Sequence, residues 1–369
     1  MVDCIIVGAG PAGATAAYHL AKLGRSVLVL EKDSLPRYKP CGAGVSPAIA
    51  QWFDFDFSAV ISLQVKKIHY TWKMDDPVET ELETPMWMVQ RDVFDHFLIQ
   101  QAQKVGAEVR ETTTVTGIKF DKNQWQVSTN GETLTSPYLI IADGAKGSLG
   151  KSLGFKSPKF HQSFILETTS KKGDVAHFDF GTVKTGYIWA FPKAESYSIS
   201  IACFRGDNPK NLKQLLIDYA TQFGVDVNQS QIYEHSLCLW DGDRKLHTKG
   251  ALLVGDAACL ADPLLGEGIR PSILSGVRAA EAINQALTGD EKALEKYTEI
   301  IHQEWGEDMV WAGRLAGLFY RFPGVAYKAA VKVPIATQLM ARILCGELRY
   351  ADVANTAIKR LSGNFFGGK

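Results

Sequence analysis

Six residues near the start of the chain have the types and spacing of a phosphate-binding turn. The pattern G-x-G-x-x-G is met by Gly8, Ala9, Gly10, Pro11, Ala12 and Gly13. The first glycine permits a tight turn, the second lets a phosphate approach the backbone, and the third lets a helix pack closely on a strand. Free N–H groups and a partial positive charge at a helix N-terminus favour a pyrophosphate there. The motif therefore predicts a dinucleotide site.

The flanking segments predict the elements that would position this turn. Residues 4–7 are wholly apolar, as in a buried parallel strand, and a helical pattern follows the turn to about residue 23. A second apolar strand over residues 26–30 ends at Glu31, followed by Lys32. A carboxylate at that place can accept hydrogen bonds from ribose hydroxyls, so we assign both residues to the cofactor site.

Two further strand ends carry an aspartate. The apolar segment 138–142 ends in Asp143-Gly144, and the apolar segment 251–254 ends in Gly255-Asp256. Ligands of open α/β sheets bind at the carboxyl ends of parallel strands. Asp256 can accept a hydrogen bond from a ribityl hydroxyl, which favours FAD over NAD.

A loop after Asp256 leads into a predicted helix. Its residues assigned to the cofactor are Pro263, Gly266, Gly268 and Ile269. The N-terminus of that helix would stabilise negative charge on the pyrimidine edge of a reduced flavin. Glu267 is interpreted as a support for this loop.

Together these motifs resemble the flavoprotein hydroxylase superfamily with the p-hydroxybenzoate hydroxylase fold. Three segments are more narrowly similar to the geranylgeranyl reductase family, namely KPCGAG at 39–44, GYIWAFP at 186–192, and the two motifs within 255–269. The resemblance covers roughly the first 290 residues. The further FAD contacts assigned with it are Cys41, Gly42, Ala43, Arg91 and Val115.

The resemblance also implies a reaction, the hydrogenation of carbon–carbon double bonds in prenyl chains by hydride from reduced flavin. Cys41 and Tyr187 are the candidate catalytic residues. The alternative interpretation of Cys41 is a small side chain that only packs in the interior. The predicted substrate contacts are Tyr187, Trp189, Phe191 and Pro192. The three aromatic side chains alternate along a strand and share one face, which is also typical of ordinary sheet core.

Three alternatives remain open from the sequence. A monooxygenase of the same fold would insert oxygen, and an electron-transfer flavoprotein would turn over no small molecule. A flavin-dependent halogenase carries a tryptophan pair in a motif resembling 186–192, whereas this chain has Tyr187 first. No second G-x-G-x-x-G follows a strand, so the expected electron donor is transiently bound NAD(P)H or reduced ferredoxin.

The pattern of segments predicts an α/β chain, α+β overall, with an interrupted Rossmann-like domain. Its parts are 1–60, 86–154 and 245–290. Short alternating strands over 61–85 and 155–244 predict an inserted antiparallel-sheet substrate domain, and 291–369 predicts a helical C-terminal region. The histidines at 69, 161, 177, 235 and 247 stand singly and are interpreted as structural.

Charge and cysteine usage limit the partners and the compartment. Forty Lys plus Arg balance forty Asp plus Glu, which argues against nucleic acid. The six cysteines show no CxxC spacing, so we expect no disulfide and no bound metal. Without a signal-like start or a long apolar run, a cytoplasmic protein is expected. From residue 309 onward the chain has nine Lys or Arg and only two acidic residues. This excess of positive charge favours either contact with a membrane surface or helices that pack over the substrate opening with solvated basic faces.

Overall fold

The chain forms two large sheets, one small sheet and a helical C-terminal region. The computed structural model describes residues 2–169, 173–207, 209–242 and 244–355. The strands are β1 (Cys4–Val7), β2 (Val27–Leu30), β3 (Gly44–Val45), β4 (Ile61–Trp72), β5 (Asp75–Val89), β6 (Glu108–Arg110), β7 (Val115–Asp121), β8 (Gln124–Thr129), β9 (Thr133–Ser136), β10 (Tyr138–Ile141), β11 (Phe160–Thr168), β12 (Ala176–Phe180), β13 (Gly186–Pro192), β14 (Tyr197–Cys203), β15 (Gln231–Cys238), β16 (His247–Thr248) and β17 (Ala251–Leu253). The α-helices are α1 (Pro11–Lys22), α2 (Arg91–Lys104), α3 (Leu149–Ser152), α4 (Leu212–Gln222), α5 (Ile269–Leu287), α6 (Ala293–Ile301), α7 (Glu307–Arg321), α8 (Pro323–Ala326) and α9 (Pro334–Leu344).

The first sheet has the strand order β16-β17-β10-β1-β2-β6, and its strands are parallel except for β16. Its central strands β1 and β2 are buried throughout, as their wholly apolar sequences predict. Helix α1 crosses β1 and packs closely on α5, because Gly276 carries no side chain: a Cβ there would lie 2.5 Å from the carbonyl oxygen of Ala12. This sheet brings the carboxyl ends of β1, β10 and β17 to one edge.

The second sheet has eight strands in the order β15-β11-β14-β13-β12-β4-β5-β3, and β4 and β12 are its one parallel pair. Alternate residues of β13 face opposite sides. Ile188 and Ala190 pack with Leu212 and Leu216 of α4, whereas the aromatic residues of β13 pack on the other side. The shared aromatic face predicted from the sequence is therefore present. The remaining strands, β7, β8 and β9, form a small antiparallel sheet.

Pairing in the eight-stranded sheet extends into segments that the sequence assigns to the dinucleotide-binding domain. Strand β3 pairs with the end of β5, Gly44 with Met88 and Val45 with Trp87. The sequence pattern predicts that the hairpin ends before residue 86, whereas β5 continues to Val89. The last residues of β5 are largely buried on both faces of the sheet, so apolar and polar residues do not alternate there. The division into domains itself stays a prediction.

One prediction from the cysteines is wrong. Cys238, which ends β15, forms a disulfide with Cys259 just after the turn Gly255–Ala258. The two cysteines are 21 residues apart, and a parallel bridge between Leu239 and Ala261 holds their segments together. Because that pairing joins the two large sheets, no local spacing in the sequence indicates it. Among the described residues, no group of histidine, cysteine and acidic side chains suited to a metal is found.

Helices α6 to α9 follow α5, as the sequence predicts for the C-terminal region. Two π-helical turns, His302–Gly306 and Tyr327–Val331, interrupt the series. Three of the nine basic residues counted from the sequence, at 359, 360 and 369, lie outside the described residues. Within the described part of the chain, no helix is both long enough and apolar enough to cross a bilayer.

Candidate active site

The glycine turn after β1 is packed at two positions and open at the third. A Cβ on Gly8 would lie 2.4 Å from the carbonyl oxygen of Ala142, and one on Gly13 would lie 2.0 Å from that of Gly8. Both glycines are therefore required by the fold. Beside Gly10, the nearest atom to a built Cβ is Nη2 of Arg37 at 3.8 Å. The turn thus leaves room for a ligand over Gly10, with a guanidinium group next to it.

Glu31 closes the turn from the end of β2. Its Oε2 accepts a hydrogen bond from the backbone N–H of Ala9 at 2.8 Å, and its side chain is buried. The backbone N–H of Thr113 donates to the carbonyl oxygen of Glu31 at 2.8 Å, which places Val115, at the start of β7, close to this end of the site. Lys32 is exposed.

A chain of buried ion pairs connects Glu31 with helix α2. Arg91, the first residue of α2, donates from Nε and Nη2 to the two carboxylate oxygens of Asp95 at 2.8 and 2.9 Å. Arg37 donates to Asp95 at 3.2 Å and reaches Glu31 at 3.5 Å. Burial opposes the charge of Arg91, but Asp95 and the neighbouring Cys41 side chain raise its pKa above the ordinary value. The sequence interpretation missed Arg37 and Asp95.

Lys39 and His235 lie at the opening between the strand ends. A Cβ on Gly144 would be 3.7 Å from Nζ of Lys39. Burial lowers the pKa of Lys39, although Asp256 acts in the opposite direction. For His235, burial lowers the pKa to about 4, with Lys39 and Arg91 contributing and Asp256 opposing. His235, interpreted as structural from the sequence, therefore belongs to this cluster; only its distant strand β15 brings it here.

The two predicted aspartates have different surroundings. Asp143 turns toward its own loop: its Oδ2 accepts from the backbone N–H of Leu149 at 3.2 Å, and burial raises the pKa of its carboxyl group. Oδ1 of Asp256 faces the start of α5, 3.3 Å from where a Cβ on Gly268 would lie. The Asp256 side chain therefore lies beside the N-terminus of α5.

The loop before α5 is fixed by hydrogen bonds from distant elements. Asp262 is fully buried and accepts from the backbone N–H groups of Leu264 at 2.7 Å and Leu265 at 3.0 Å, and from the hydroxyl of Tyr350 at 2.8 Å. The hydroxyl of Tyr187 donates to the carbonyl oxygen of Leu265 at 2.6 Å. Burial raises the pKa of Asp262.

Two glycines and an ion pair complete this loop. Gly266 has a φ of +67°, and a Cβ there would lie 2.7 Å from the ring of Phe204. Glu267 pairs with Arg270 at 3.1 Å, which agrees with its interpretation as a support of the loop. Gly268 precedes the first residue of α5, Ile269.

These surroundings fit an anionic dinucleotide. Space remains open at Gly10 beside Arg37, Arg91 shares the Asp95 carboxylate with Arg37, and Lys39 lies beside Gly144. Cationic side chains and a free helix N-terminus are the groups that bind pyrophosphate. A second helix N-terminus, that of α5, begins at Gly268 and lies beside the Asp256 carboxylate.

The loop around Cys41 packs on the aromatic face of β13. A Cβ on Gly42 would lie 2.3 Å from Nε1 of Trp189, and one on Gly44 would lie 2.7 Å from the ring of Phe191. The sulfur of Cys41 accepts a hydrogen bond from the backbone N–H of Ala43 at 3.3 Å and interacts with Arg91. The structure thus brings Cys41, Arg91 and the aromatic side chains of β13 together.

Aromatic rings continue from this loop toward the C-terminal helices. The ring centroid of Tyr187 lies 5.3 Å from Trp189, 5.4 Å from Phe180 and 5.0 Å from Phe204. Phe180 in turn lies 5.3 Å from Phe319 of α7. Such contacts form an apolar interior that excludes water between the Cys41 loop and α7. Pro192 ends the same strand and is buried.

Comparison with known proteins identifies a matching family and several relatives. Residues 1–190 match the model of the FAD binding domain family. An uncharacterized protein from Methanosarcina barkeri is 32% identical over 306 residues, covering 80% of this chain and 78% of that protein. A digeranylgeranylglycerophospholipid reductase from Thermoplasma acidophilum is 27% identical over 337 residues, covering 82% and 84%.

The chain belongs to the geranylgeranyl reductase family of FAD-dependent oxidoreductases. It is accordingly an enzyme and binds FAD.

Solved structures show the same fold in this family and beyond it. A geranylgeranyl bacteriochlorophyll reductase-like protein from Thermoplasma acidophilum superimposes with a TM-score of 0.78 at 24% identity, over 86% of this chain and 87% of that one. A flavin-dependent brominase superimposes with a TM-score of 0.72 at 18% identity, over 98% and 99%. The predicted α/β fold is therefore confirmed, and the fold alone does not separate a reductase from a halogenase.

Proposed function

We propose that this enzyme of the geranylgeranyl reductase family reduces carbon–carbon double bonds of a hydrophobic, prenyl-type substrate. The observation that carries the proposal is the aromatic interior that begins at Gly42 and Trp189 beside Cys41 and continues to Phe319. An apolar interior of this kind suits an isoprenoid chain and offers few partners to a polar substrate. The names of several relatives refer to reduction of such lipids.

We propose the following residues as the FAD site. The turn Gly8–Gly13 with Arg37, Lys39 and Arg91 would hold the pyrophosphate, and Glu31 with Val115 would lie at the adenosine end. Asp256 and the N-terminus of α5 would hold the ribityl chain and the flavin edge, with Gly144 and Gly255 shaping the backbone beside them. Bound and reduced, FAD would supply the hydride for one carbon of the double bond.

The second carbon needs a proton, and Cys41 is the proposed source. Its thiol lies beside Arg91, whose guanidinium would neutralise the negative charge left on sulfur after the proton leaves. The Tyr187 hydroxyl is occupied by the carbonyl oxygen of Leu265, so we propose that Tyr187 positions the loop before α5. NAD(P)H or reduced ferredoxin would return electrons to the cofactor.

We also propose contact with a membrane surface through residues 309–346, called here the apolar-basic face. This segment contains five Lys or Arg and no acidic residue. Its exposed large apolar side chains are Val310, Leu318, Phe322, Val325, Val333 and Ile335. Apolar side chains next to cations suit anionic lipid. The double substitution Leu318→Glu and Val325→Glu should abolish sedimentation with phosphatidylglycerol vesicles, while Leu23→Glu, exposed elsewhere, should not.

Anaerobic reoxidation tests the proposed reaction. The purified holoenzyme is reduced without oxygen and then mixed with geranylgeranyl diphosphate or geranylgeraniol, and the products are identified by mass spectrometry. Reoxidation in the absence of oxygen, with a product two hydrogens heavier for each reduced bond, is the expected result.

Other outcomes would overturn the proposal. A product that gains oxygen and forms only in air would establish a monooxygenase, and a brominated or chlorinated product would establish a halogenase. Rapid reoxidation by one-electron acceptors with no prenyl product would establish an electron-transfer flavoprotein.

A further inference from the structure

The segment 37–42, which carries Cys41, is held in place by side chains. Among the described residues, no backbone–backbone hydrogen bond involves positions 36–42. At the start of the segment, Arg37 pairs with Asp95 and Glu31 of the cofactor side. A segment without backbone hydrogen bonds opens locally at a small cost in free energy unless side chains attach it to rigid elements. Each such side chain therefore influences where Cys41 lies.

Tyr38 makes the one hydrogen bond that joins this segment to the eight-stranded sheet in the described part of the chain. Its hydroxyl donates to Oε1 of Glu167 in β11 at 3.1 Å. Partial burial and the neighbouring Glu167 carboxylate raise the pKa of Tyr38, which keeps the proton on the donor oxygen. The Tyr38 ring packs on Tyr233 of β15, with the ring centroids 4.5 Å apart. Tyr38 therefore attaches the segment to two strands of the sheet.

Glu167 is an acceptor with a fixed position. It is paired with Ser198 across β11 and β14, and its Oε2 accepts a hydrogen bond from Oγ of Ser198 at 2.6 Å. Nζ of Lys193, which directly follows β13, lies 3.2 Å from the same oxygen, and the Lys193 side chain is buried. Groups from three strands thus hold the carboxylate, and a hydrogen bond to such a charged acceptor is stronger than one to a neutral group.

We propose that Tyr38, through its hydrogen bond to Glu167, is a positioning residue that sets the place of the Cys41 thiol at the aromatic face. The inference rests on the proposed function, in which Cys41 supplies the proton. Cys41 lies between two attachments of its segment to the sheet. One is the Tyr38 hydroxyl, and the other is Gly42, which packs against the indole of Trp189. A segment attached to the sheet at Gly42 alone could rotate about that point, whereas a second attachment prevents this.

The residues on either side of Tyr38 contact the cofactor side of the site. Arg37 lies beside Gly10, and Lys39 lies beside Gly144. Tyr38 itself is 44% exposed and contacts only the substrate sheet among these elements. It therefore acts through the segment that it holds, and its hydroxyl can be removed at little cost to folding.

Alkylation of Cys41 in the oxidised holoenzyme tests the position of the segment without turnover. The protein is treated with iodoacetamide, and the rate of modification of each cysteine is followed by peptide mass spectrometry. Cys41 is half-buried, whereas the other free cysteines, Cys4, Cys203 and Cys345, are at most 2% exposed. Modification of the buried cysteines therefore reports unfolding of the whole protein and serves as an internal reference.

The variant Tyr38→Phe keeps the ring and removes the hydroxyl. The matched control is Tyr233→Phe, which removes the hydroxyl of the partner ring; that hydroxyl bonds to Gln231 of its own strand and not to the segment. A third comparison adds Tyr38→Phe to Glu167→Gln, which measures whether the two side chains act together. Each protein is also reduced without oxygen and reoxidised with geranylgeraniol at several concentrations.

Tyr38→Phe should raise the alkylation rate of Cys41 about fivefold, the effect of one lost hydrogen bond on a local opening equilibrium. The limiting rate of reoxidation should fall at least about fivefold, because a displaced proton donor slows the reaction. The half-saturating concentration of geranylgeraniol should not change, since Tyr38 is not a substrate contact. Tyr233→Phe should alter none of these quantities, and Tyr38→Phe should have a smaller effect in the Glu167→Gln protein.

An alkylation rate of Cys41 that Tyr38→Phe leaves unchanged would overturn the proposal. An equal effect of Tyr233→Phe would do the same, because ring packing and not the hydroxyl would then hold the segment. Faster modification of the buried cysteines would also overturn it, since Tyr38 would then stabilise the whole fold.

Failure of the reductase is distinguishable from failure of this inference. Faster alkylation of Cys41 in Tyr38→Phe, in a protein that reduces no prenyl substrate, would refute the reductase and leave Tyr38 as the residue that holds the segment. Prenyl reduction at a limiting rate that Tyr38→Phe does not change would refute only the positioning role, whatever the alkylation rate.

Discussion

At the scale of single residues, the three motif glycines differ in the space beside them. A Cβ on Gly8 or Gly13 would overlap backbone atoms, whereas a Cβ on Gly10 would meet nothing closer than 3.8 Å. Packing therefore explains two of the glycines, and only the approach of a ligand explains the third. The substitution of each glycine should consequently affect a different property.

Gly10→Ala should fold normally and lose FAD affinity. The added methyl group would occupy the space assigned to the pyrophosphate, and we expect affinity to fall at least about tenfold, the equivalent of roughly 1.4 kcal/mol. Fluorescence titration of the apoprotein with FAD measures this. Gly117→Ala is the matched control, because a Cβ there also meets open space but lies in the small sheet. Unchanged FAD affinity in Gly10→Ala would show that the turn does not bind the cofactor.

Tyr187→Phe separates a positioning role from proton donation. Loss of the hydrogen bond to Leu265 should lower the free energy of unfolding by about 1 kcal/mol and reduce turnover less than about tenfold. Loss of a general acid would instead lower turnover about 10²- to 10⁴-fold. Stopped-flow reoxidation and chemical denaturation measure the two quantities. A large loss of turnover at unchanged stability would make Tyr187 catalytic.

At the scale of elements, the loop 41–44 and strand β13 depend on each other. Gly42 approaches the indole of Trp189 more closely than any side chain would allow. The contact fixes the position of Cys41 relative to the aromatic face, although the two segments are distant in sequence.

Gly42→Ala should therefore displace the loop and lower turnover, and Trp189→Phe should partly restore it in the double variant. The phenyl ring lacks the Nε1 edge that the added Cβ would meet at 2.3 Å. Double-mutant analysis of turnover and melting temperature measures the coupling between the two positions. Additive effects would show that the contact does not position the loop.

At the scale of the whole molecule, half-buried histidines link the stability of the fold to pH. Burial lowers the pKa of both His19 and His177 to about 4, with Lys22 adding to the effect at His19 and His69 at His177. The unfolded chain, with histidine pKa values near 6.5, binds more protons than the folded chain between about pH 6.5 and 4. Stability should therefore fall as pH decreases through that interval.

His177→Phe should reduce this acid sensitivity. Between pH 7 and 5 the native protein should lose more stability than the variant, by on the order of 1 kcal/mol. Buried acids such as Asp262 have raised pKa values and contribute with the opposite sign, so the difference between the two proteins is the informative quantity. Thermal unfolding at several pH values measures it, and identical pH profiles would contradict the assignment.

The sequence by itself determined the elements of the cofactor site. Buried strands such as β1 and β10 have apolar sequences, and Asp256 precedes the predicted helix that it faces. Such features follow from local periodicity and from motifs whose residues are neighbours in the chain. Local sequence carries them because backbone geometry and burial pattern act over a few residues.

Only the tertiary structure decided which distant groups join these elements. Arg37, Lys39 and His235 come to the site from loops and from β15, and the disulfide of Cys238 with Cys259 joins two sheets. Tyr38 meets Glu167 although 129 positions separate them along the chain. Each of these contacts depends on how the sheets and helices pack, and no spacing along the chain records that packing.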